Sequence, residues 1–495
     1  MIEKNLPAII PLLFLFASLI IPLIGVWKKN FAYPIAALTA LASALLSLYG
    51  FVFVILTGPI NYYFGGWIPP LGIEYVYDYL SSFVVLVINF VALFVIAYSF
   101  QPVEKELPRK QTAYYSVVML LLTGFNGMII TGDLFNLYVF IEISSLASYA
   151  LIGVGDKKAP FAAFKYLIIG TIGASFYLLG IGYIYFMSGT LNMNDLYNIL
   201  PLMSDSPTII VALILIVVGL GIKMAIFPMH GWLPDSYTHA PSSSSALIAP
   251  IGTKVGAYAM IRLLFFVFGL EFFSQELAVS DLIAIFSSAG IIFGSVLAIA
   301  QKEMKRMLAY SSVAQIGYIG LGIGLANPFG FIGAVLHLLN HALMKATLFM
   351  VAGSIIMKEG HSDIFKFDDT YRKKYPRTMA AFTVAALSMV GLPPLAGFFS
   401  KWYLALGTIE NSSWLFLAVI LISSLLNAVY FFRILEKVYM KSPDELTTKE
   451  KVKRNEIQFS MLMPIVVLAI GLIVLGILNF IIVEHIYKMM PEGML

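Results

Sequence analysis

Apolar runs of roughly eighteen residues or more recur from one end of the chain to the other, the length an α-helix needs to cross ~30 Å of hydrocarbon. No soluble core could absorb so many helices that are apolar all round, and lipid admits only structures that satisfy their own backbone. Composition agrees: of 495 residues, 60% are hydrophobic and 12% charged, against roughly 25% charged in soluble domains. The chain therefore reads as an all-α, multi-pass protein of the cell membrane, with the bilayer itself as its solvent. The first run, near 6–26, lacks a basic leader and a small-residue cleavage site, so it is expected to be a retained helix and not a signal peptide.

The runs between polar breaks predict about fourteen spans, near 7–27, 32–57, 79–100, 113–131, 134–154, 161–188, 207–229, 243–268, 281–300, 307–326, 330–357, 378–407, 414–436 and 459–484. Loops numbered from the amino terminus sort the cations. The odd loops hold Lys28 and Lys29; Lys105, Arg109 and Lys110; Lys157 and Lys158; and Lys302, Lys305 and Arg306. They also hold Lys358, Lys366, Arg372, Lys373, Lys374 and Arg377, then Lys437, Lys441, Lys449, Lys451, Lys453 and Arg454. The other side receives Lys4 and Lys488 in the tails. By the positive-inside rule the odd loops face the cytoplasm and both termini face out. Topology thus accounts for the net charge of +4, which calls for no nucleic-acid partner. The absence of cysteine excludes disulfides, thiolate catalysis and cysteine-ligated iron–sulfur clusters on this chain.

The remaining cations fall inside predicted spans: Lys165, Lys223, Lys254, Arg262, Lys345, Lys401 and Arg433. Arg433 and Lys165 lie near helix ends, where long side chains snorkel to the interface. The others lie too deep for that. Two spans are also interrupted. One reads Lys223-Met-Ala-Ile-Phe-Pro228-Met-His230-Gly-Trp-Leu-Pro234-Asp235, the other Gly391-Leu-Pro393-Pro394-Leu-Ala-Gly397-Phe-Phe-Ser-Lys401. Proline removes a backbone donor and frees carbonyls that lipid cannot satisfy, so such breaks face protein or water. Broken spans in corresponding positions, each beside a lysine, fit an inverted repeat of the transporter kind. The expected organisation is 1–112 for helices one to three, 113–268 and 281–440 for two inverted five-helix units, and 459–495 for the last helix and tail.

Glu142 is the carboxylate expected deepest within a span. A bare charge there costs at least ~3 kcal/mol, so it needs a partner or a proton. The bland reading is an ion pair that orients two helices. The sharper one is a carboxylate that modulates the proton affinity of Lys223, because burial disfavours an ammonium and a nearby carboxylate favours it. Lysine suits the task, since arginine does not release its proton. Lys254 follows in the next span, and His337, His341 and Lys345 stand one turn apart along one helix face. Histidine exchanges protons near neutral pH, so this row has the form of a wire. Its bland readings are hydrogen-bonded core histidines and a metal pair without an evident third ligand; no metal is expected. Lys401 beside the second break is the candidate terminal gate. His230, Asp235 and His239 border the first break as candidates for uptake, with Lys165 in support.

These motifs resemble the antiporter-like membrane subunits shared by Mrp-type sodium/proton antiporters and complex I-related respiratory assemblies, including membrane-bound hydrogenases. The Glu142 segment, Phe227-Pro-Met-His-Gly-Trp-Leu-Pro-Asp235, Thr253-Lys-Val-Gly-Ala-Tyr258 and Gly391-Leu-Pro-Pro394 with Lys401 carry the resemblance, from about the third span to the thirteenth. It implies fourteen helices, two inverted five-helix repeats and discontinuous seventh and twelfth helices. It further implies Glu142 and Lys223 as a coupling pair, Lys254, His337, His341 and Lys345 as a relay, and Lys401 as the exit. Some quinone-reductase versions carry glutamate at the last position, so Lys401 points toward the D-type antiporter or hydrogenase side. The function implied is proton translocation within a larger membrane complex, coupled to sodium/proton exchange or to a redox reaction. Its partners would be other membrane subunits, protons and, as a second candidate ion, sodium. Two alternatives are a quinone- or redox-site subunit, which no haem, flavin or cluster motif supports, and an inert scaffold, which would gain nothing from buried lysines. No catalytic residue and no cofactor is assigned to the chain.

Overall fold

The computed structural model describes residues 2–276, 278–440, 453–491, 493 and 494. Lys441, Lys449 and Lys451 of the thirteenth loop lie outside them. The chain runs through α1 (Ile2–Gly25), α2 (Ala32–Thr57), strands β1 (Ile60–Tyr63) and β2 (Glu74–Tyr77), α3 (Tyr79–Glu106), α4 (Gln111–Ile130), α5 (Leu134–Gly153) and α6 (Ala159–Ser188). It continues through the short α7 (Met193–Ile199), α8 (Pro207–Met224), the short α9 (Leu233–His239), α10 (Ser242–Leu263), α11 (Val279–Ile299), α12 (Met304–Leu325) and α13 (Pro328–Glu359). The last elements are α14 (Asp369–Lys374), α15 (Pro376–Val390), α16 (Ala396–Glu410), α17 (Trp414–Tyr439), α18 (Phe459–Ile477) and α19 (Asn479–Tyr487).

Among the described residues, thirteen helices are long and apolar enough to cross a membrane one by one. The remaining expected span, 378–407, is α15 and α16, two helices of 15 residues each that meet at a break over 391–395. The seventh span is discontinuous in the same way: α8 stops at Met224, and the chain loops through 225–232 before α9. Left-handed residues end both first halves, Ala225 at φ 60° and Gly391 at φ 92°. For alanine that conformation costs of order 1 kcal/mol, so the surrounding packing holds it in place. The second break is tight as well, because a Cβ on Gly397 would stand 1.9 Å from the Ser388 carbonyl.

The all-α expectation misses one small element. Ile60–Tyr63 and Glu74–Tyr77 pair antiparallel, with Ile60 opposite Tyr77 and Tyr63 opposite Glu74. Aromatic and β-branched residues flanking a Gly/Pro-rich turn carry that signal, but between two long spans it reads as loop.

Contacts between loops show that alternate loops gather on opposite faces. On one face Tyr75 bridges Thr131, and Asp133 bridges Asn192. On the other, Glu303 bridges Asp363, and the Asp156 N–H donates to the His239 carbonyl at 3.2 Å. That sorting is what successive crossings produce. Among the described residues, the lysine-bearing fifth, ninth and eleventh loops share the second face.

Helices α10, α12 and α13 are enclosed by their neighbours, whereas α2, α6 and α17 turn apolar faces outward through residues such as Leu45, Phe164 and Leu425. Without a hydrophobic drive between helices in lipid, close backbone approach and interhelical hydrogen bonds hold the bundle. Gly173 meets Gly219 between α6 and α8, and Gly322 meets Gly330 between α12 and α13; a Cβ on Gly219 would lie 2.6 Å from the Gly173 carbonyl oxygen. Asn89 and Asn126 exchange amide hydrogen bonds at 2.9 and 3.0 Å, and Asn89 also donates to Ser47 Oγ at 2.8 Å. The enclosed helices, where a charge is hardest to place, are the ones that carry Lys254, His337, His341 and Lys345.

Candidate ion-translocation axis

The first break delivers Lys223. It is the penultimate residue of α8, 7% exposed, and its Nζ donates to Ser145 Oγ at 2.7 Å and Ser144 Oγ at 3.3 Å on α5. Trp232, stacked on Tyr166 with ring centroids 3.7 Å apart, donates its Nε1–H to the Ile222 carbonyl and so satisfies a backbone group exposed by the break. Glu142 lies on the same α5 face one turn before Ser145, half-buried. It is near enough to act on the charge of Lys223 without bonding to it, and the two serines occupy the ammonium. Carboxylate and lysine are therefore neighbours through space, with hydroxyls beside them, and not a locked ion pair.

The next helix seats against this corner, since a Cβ on Gly256 would meet the Met224 nitrogen at 3.1 Å. Two residues earlier Lys254 is fully enclosed, its Nζ donating to the Ala249 carbonyl at 2.8 Å and reaching Thr253 Oγ1 at 3.4 Å. Lys254 acts electrostatically on His337, His341 and Lys345 of α13, which makes it the hub of the group. Along α13 the rings of His337 and His341 stack with centroids 5.7 Å apart, matching the ~6 Å of axis expected for one turn. His337 Nδ1 and Ser400 Oγ are 2.9 Å apart. Lys345 donates to the Leu308 carbonyl at 2.7 Å and to Ser311 Oγ at 2.5 Å. Among the described residues no group of three or more His, Asp or Glu side chains could hold a metal.

The second break delivers Lys401. Its Nζ donates to the carbonyls of Met389 and Val390, both at 3.0 Å, and to Ser424 Oγ at 3.2 Å. Those carbonyls are the last of α15, which have no partner inside the helix, and the cation sits at the negative end of that helix's dipole. Tyr318 bridges the lysine to the row: its ring lies 4.9 Å from Lys401 Nζ and 5.3 Å from the His337 ring. Several buried polar atoms beside this row have no protein partner: both nitrogens of His341, His337 Nε2, Asn340 Oδ1 and both polar atoms of Gln315. Polar atoms in that condition call for water, as buried polar groups are almost always hydrogen-bonded.

The candidates near the first break separate into distinct settings. Asp235 accepts from Lys165 at 3.1 Å and from Arg306 at 3.2 Å. His239 pairs with Asp156 at 2.8 Å at the lysine-rich face. Burial works against the charge of Asp156, yet the His239 ring and the Lys158 backbone N–H hold its carboxyl below the usual carboxylate value. His230 stands apart, stacked on Phe227 within the break.

One sequence assignment changes in the structure, and two cations within spans take partners that the sequence does not name. Lys305, counted as a cation of the ninth loop, lies in the first turn of α12, is 6% exposed and donates its Nζ to the Ala240 carbonyl at 2.7 Å. The 240 loop folds over it, a contact between residues 65 apart. Arg262 forks onto Asp78, the N-cap of α3, at 2.7 and 2.8 Å, with the Tyr258 hydroxyl also accepting from it. Arg433 donates to the carbonyls of Ile299 and Gln301, closing the end of α11. Ser144, Ser145, Ser311 and Ser400, which touch the lysines and histidines, escape a reading based on charge alone; polar residues within apolar spans are the signal that could have found them.

The sequence profile of the family described as NADH:quinone oxidoreductase/Mrp antiporter, transmembrane, matches residues 131–427, the stretch that holds Glu142, Lys223, Lys254, the α13 row and Lys401. The chain belongs to this family. It is 46% identical over 98% of its length to the N-type subunit of the NADH-quinone oxidoreductase of Desulforudis audaxviator, and covers 98% of that protein. It is 32% identical over 89% of its length to the D-type subunit of the Na(+)/H(+) antiporter of Alkalihalophilus pseudofirmus, covering 88% of it. A chain of the membrane-bound sulfane sulfur reductase, an archaeal respiratory membrane complex, superposes with a TM-score of 0.89 at 31% identity, with 98% of this chain and 97% of that one covered. Identity is higher with the quinone oxidoreductase relative than with the antiporter relative, so a single lysine at 401 does not decide between them.

Proposed function

We propose that the chain is the proton-translocating, antiporter-like subunit of a multisubunit membrane complex, driven either by sodium/proton exchange or by a redox reaction housed in its partners. The observation that carries this reading is the continuity of ionisable side chains through the enclosed helices. Lys223 stands beside Glu142, Lys254 acts on His337, His341 and Lys345, and His337 feels the charge of Lys401. Each lysine head rests on carbonyl or hydroxyl oxygens and not on a carboxylate, so its proton is held without a fixed counter-ion. A change in the Glu142–Lys223 interaction would alter the proton affinity of Lys223 and, through mutual repulsion, that of the next lysine. Lysine and histidine are the residues able to pass a proton on in this way.

In this reading the lysine-rich loops face the cytoplasm, the termini face out, and 113–268 and 281–440 act as inverted units around the two breaks. The apolar faces of α2, α6 and α17 are available to lipid and to other membrane subunits. Replacement of Glu142 by glutamine keeps the shape and removes the charge. Proton pumping by the assembled complex in inverted membrane vesicles is expected to fall about 100-fold, as for loss of a positioned acid–base group, with the chain still present in the complex. Pumping at the wild-type rate would defeat the coupling-pair assignment.

A further inference from the structure

A cavity of about 730 Å³ opens on the lysine-rich face, with Glu106, Asp156, His239, Glu303, Lys305 and Asp363 among its walls. Two of its acidic members are engaged by other residues of the same walls. Glu106 accepts the backbone N–H of Ser242 at 2.8 Å, and Asp156 pairs with His239. Lys305 is the exception in kind: a nearly buried cation at the start of α12, bound to the Ala240 carbonyl and with Glu106, Asp156 and Glu303 close enough to act on its charge.

Its position along α12 gives it a use. Lys305 and Leu308 are one turn apart, about 4.5 Å of helix axis, and the Leu308 carbonyl accepts from Lys345 Nζ. One short step along a single helix therefore separates the cavity wall from the end of the α13 row. The opposite end of that row leads by His337 and Tyr318 to Lys401. We infer that Lys305 is the mouth of the axis on this face, exchanging protons between cavity water and Lys345. This assignment rests on the proton-translocation reading and adds to it a place of entrance and a residue outside the central group. The competing role is a fastener that clips the 240 loop to α12.

Arginine separates the two. In Lys305→Arg the charge and the donor to the Ala240 carbonyl remain, but the proton cannot be released. Proton transport by the assembled complex in inverted vesicles is expected to drop about ten-fold or more, with partial recovery in Lys305→His. Transport close to wild type in Lys305→Arg would overturn the assignment and leave the fastener. If arginine prevents assembly, Lys305→Gln decides on the same terms, since it keeps a donor without a titratable proton. Lys223→Arg is measured alongside. Transport surviving there would defeat the translocation reading itself, whereas transport lost there and kept in the Lys305 variants removes only the mouth.

Discussion

Lys223→Arg is expected to abolish coupled ion transport while the complex assembles and the chain folds. The substitution preserves the positive charge beside Glu142 and offers donors to Ser144 and Ser145, so a purely electrostatic or structural role is kept. It removes one property, release of the proton, because a guanidinium stays charged under any condition a protein survives. Loss of a proton-transfer group of this kind lowers rates by about 10²–10⁴-fold. The check is proton flux into inverted vesicles, normalised to the amount of assembled complex. Flux at the wild-type level would make Lys223 a fixed counter-ion.

The second large effect has opposite signs in stability and in activity. Lys254 is fully enclosed, and its ammonium is held by the Ala249 carbonyl and the Thr253 hydroxyl, with no carboxylate among the described residues bonded to it. Methionine fills a similar volume without a charge to bury. Lys254→Met is therefore expected to leave thermal stability in detergent unchanged or raised, by up to about 3 kcal/mol on membrane-insertion scales, while transport is lost. A residue retained for packing would give the reverse, a lower melting temperature with transport intact. The pairing matters because a site kept at the expense of stability is best explained by what it does.

Much of this architecture is legible in the sequence because it is local. The spans come from hydropathy, the breaks from proline and glycine, and the His337, His341, Lys345 row from the four-residue step of one helix. What stays hidden depends on residues far apart in the chain. Arg262 finds Asp78 across a separation of 184 residues, and nothing near Arg262 announces it. Lys305 looks like surface because four charges crowd 302–306, and its burial arises only when the 240 loop packs over it. Glu142 lies within a helix, as its apolar flanks predict, but the depth of a residue along the bilayer does not reveal which way it faces. In the structure it is half-buried and acts on Lys223 through space, while Ser144 and Ser145 accept from the ammonium. The hairpin Ile60–Tyr63 and Glu74–Tyr77 escapes because a few alternating residues between two spans carry little weight beside long apolar runs.

Everything functional here requires water among the buried stations, and the absence of cysteine from the chain makes that measurable. Single cysteines at Ser145, Ser311 and Ser400 place a thiol against Lys223, Lys345 and His337, and Leu213→Cys in α8 provides an enclosed apolar control. A small water-borne methanethiosulfonate, which reacts with the hydrated thiolate, is applied to membranes holding the working complex, and labelling of this chain is read by mass spectrometry. The axis predicts that the three polar positions react during turnover and that the control does not. Polar positions as inert as Leu213→Cys would mean a dry interior, and the lysines and histidines could then not pass protons to one another.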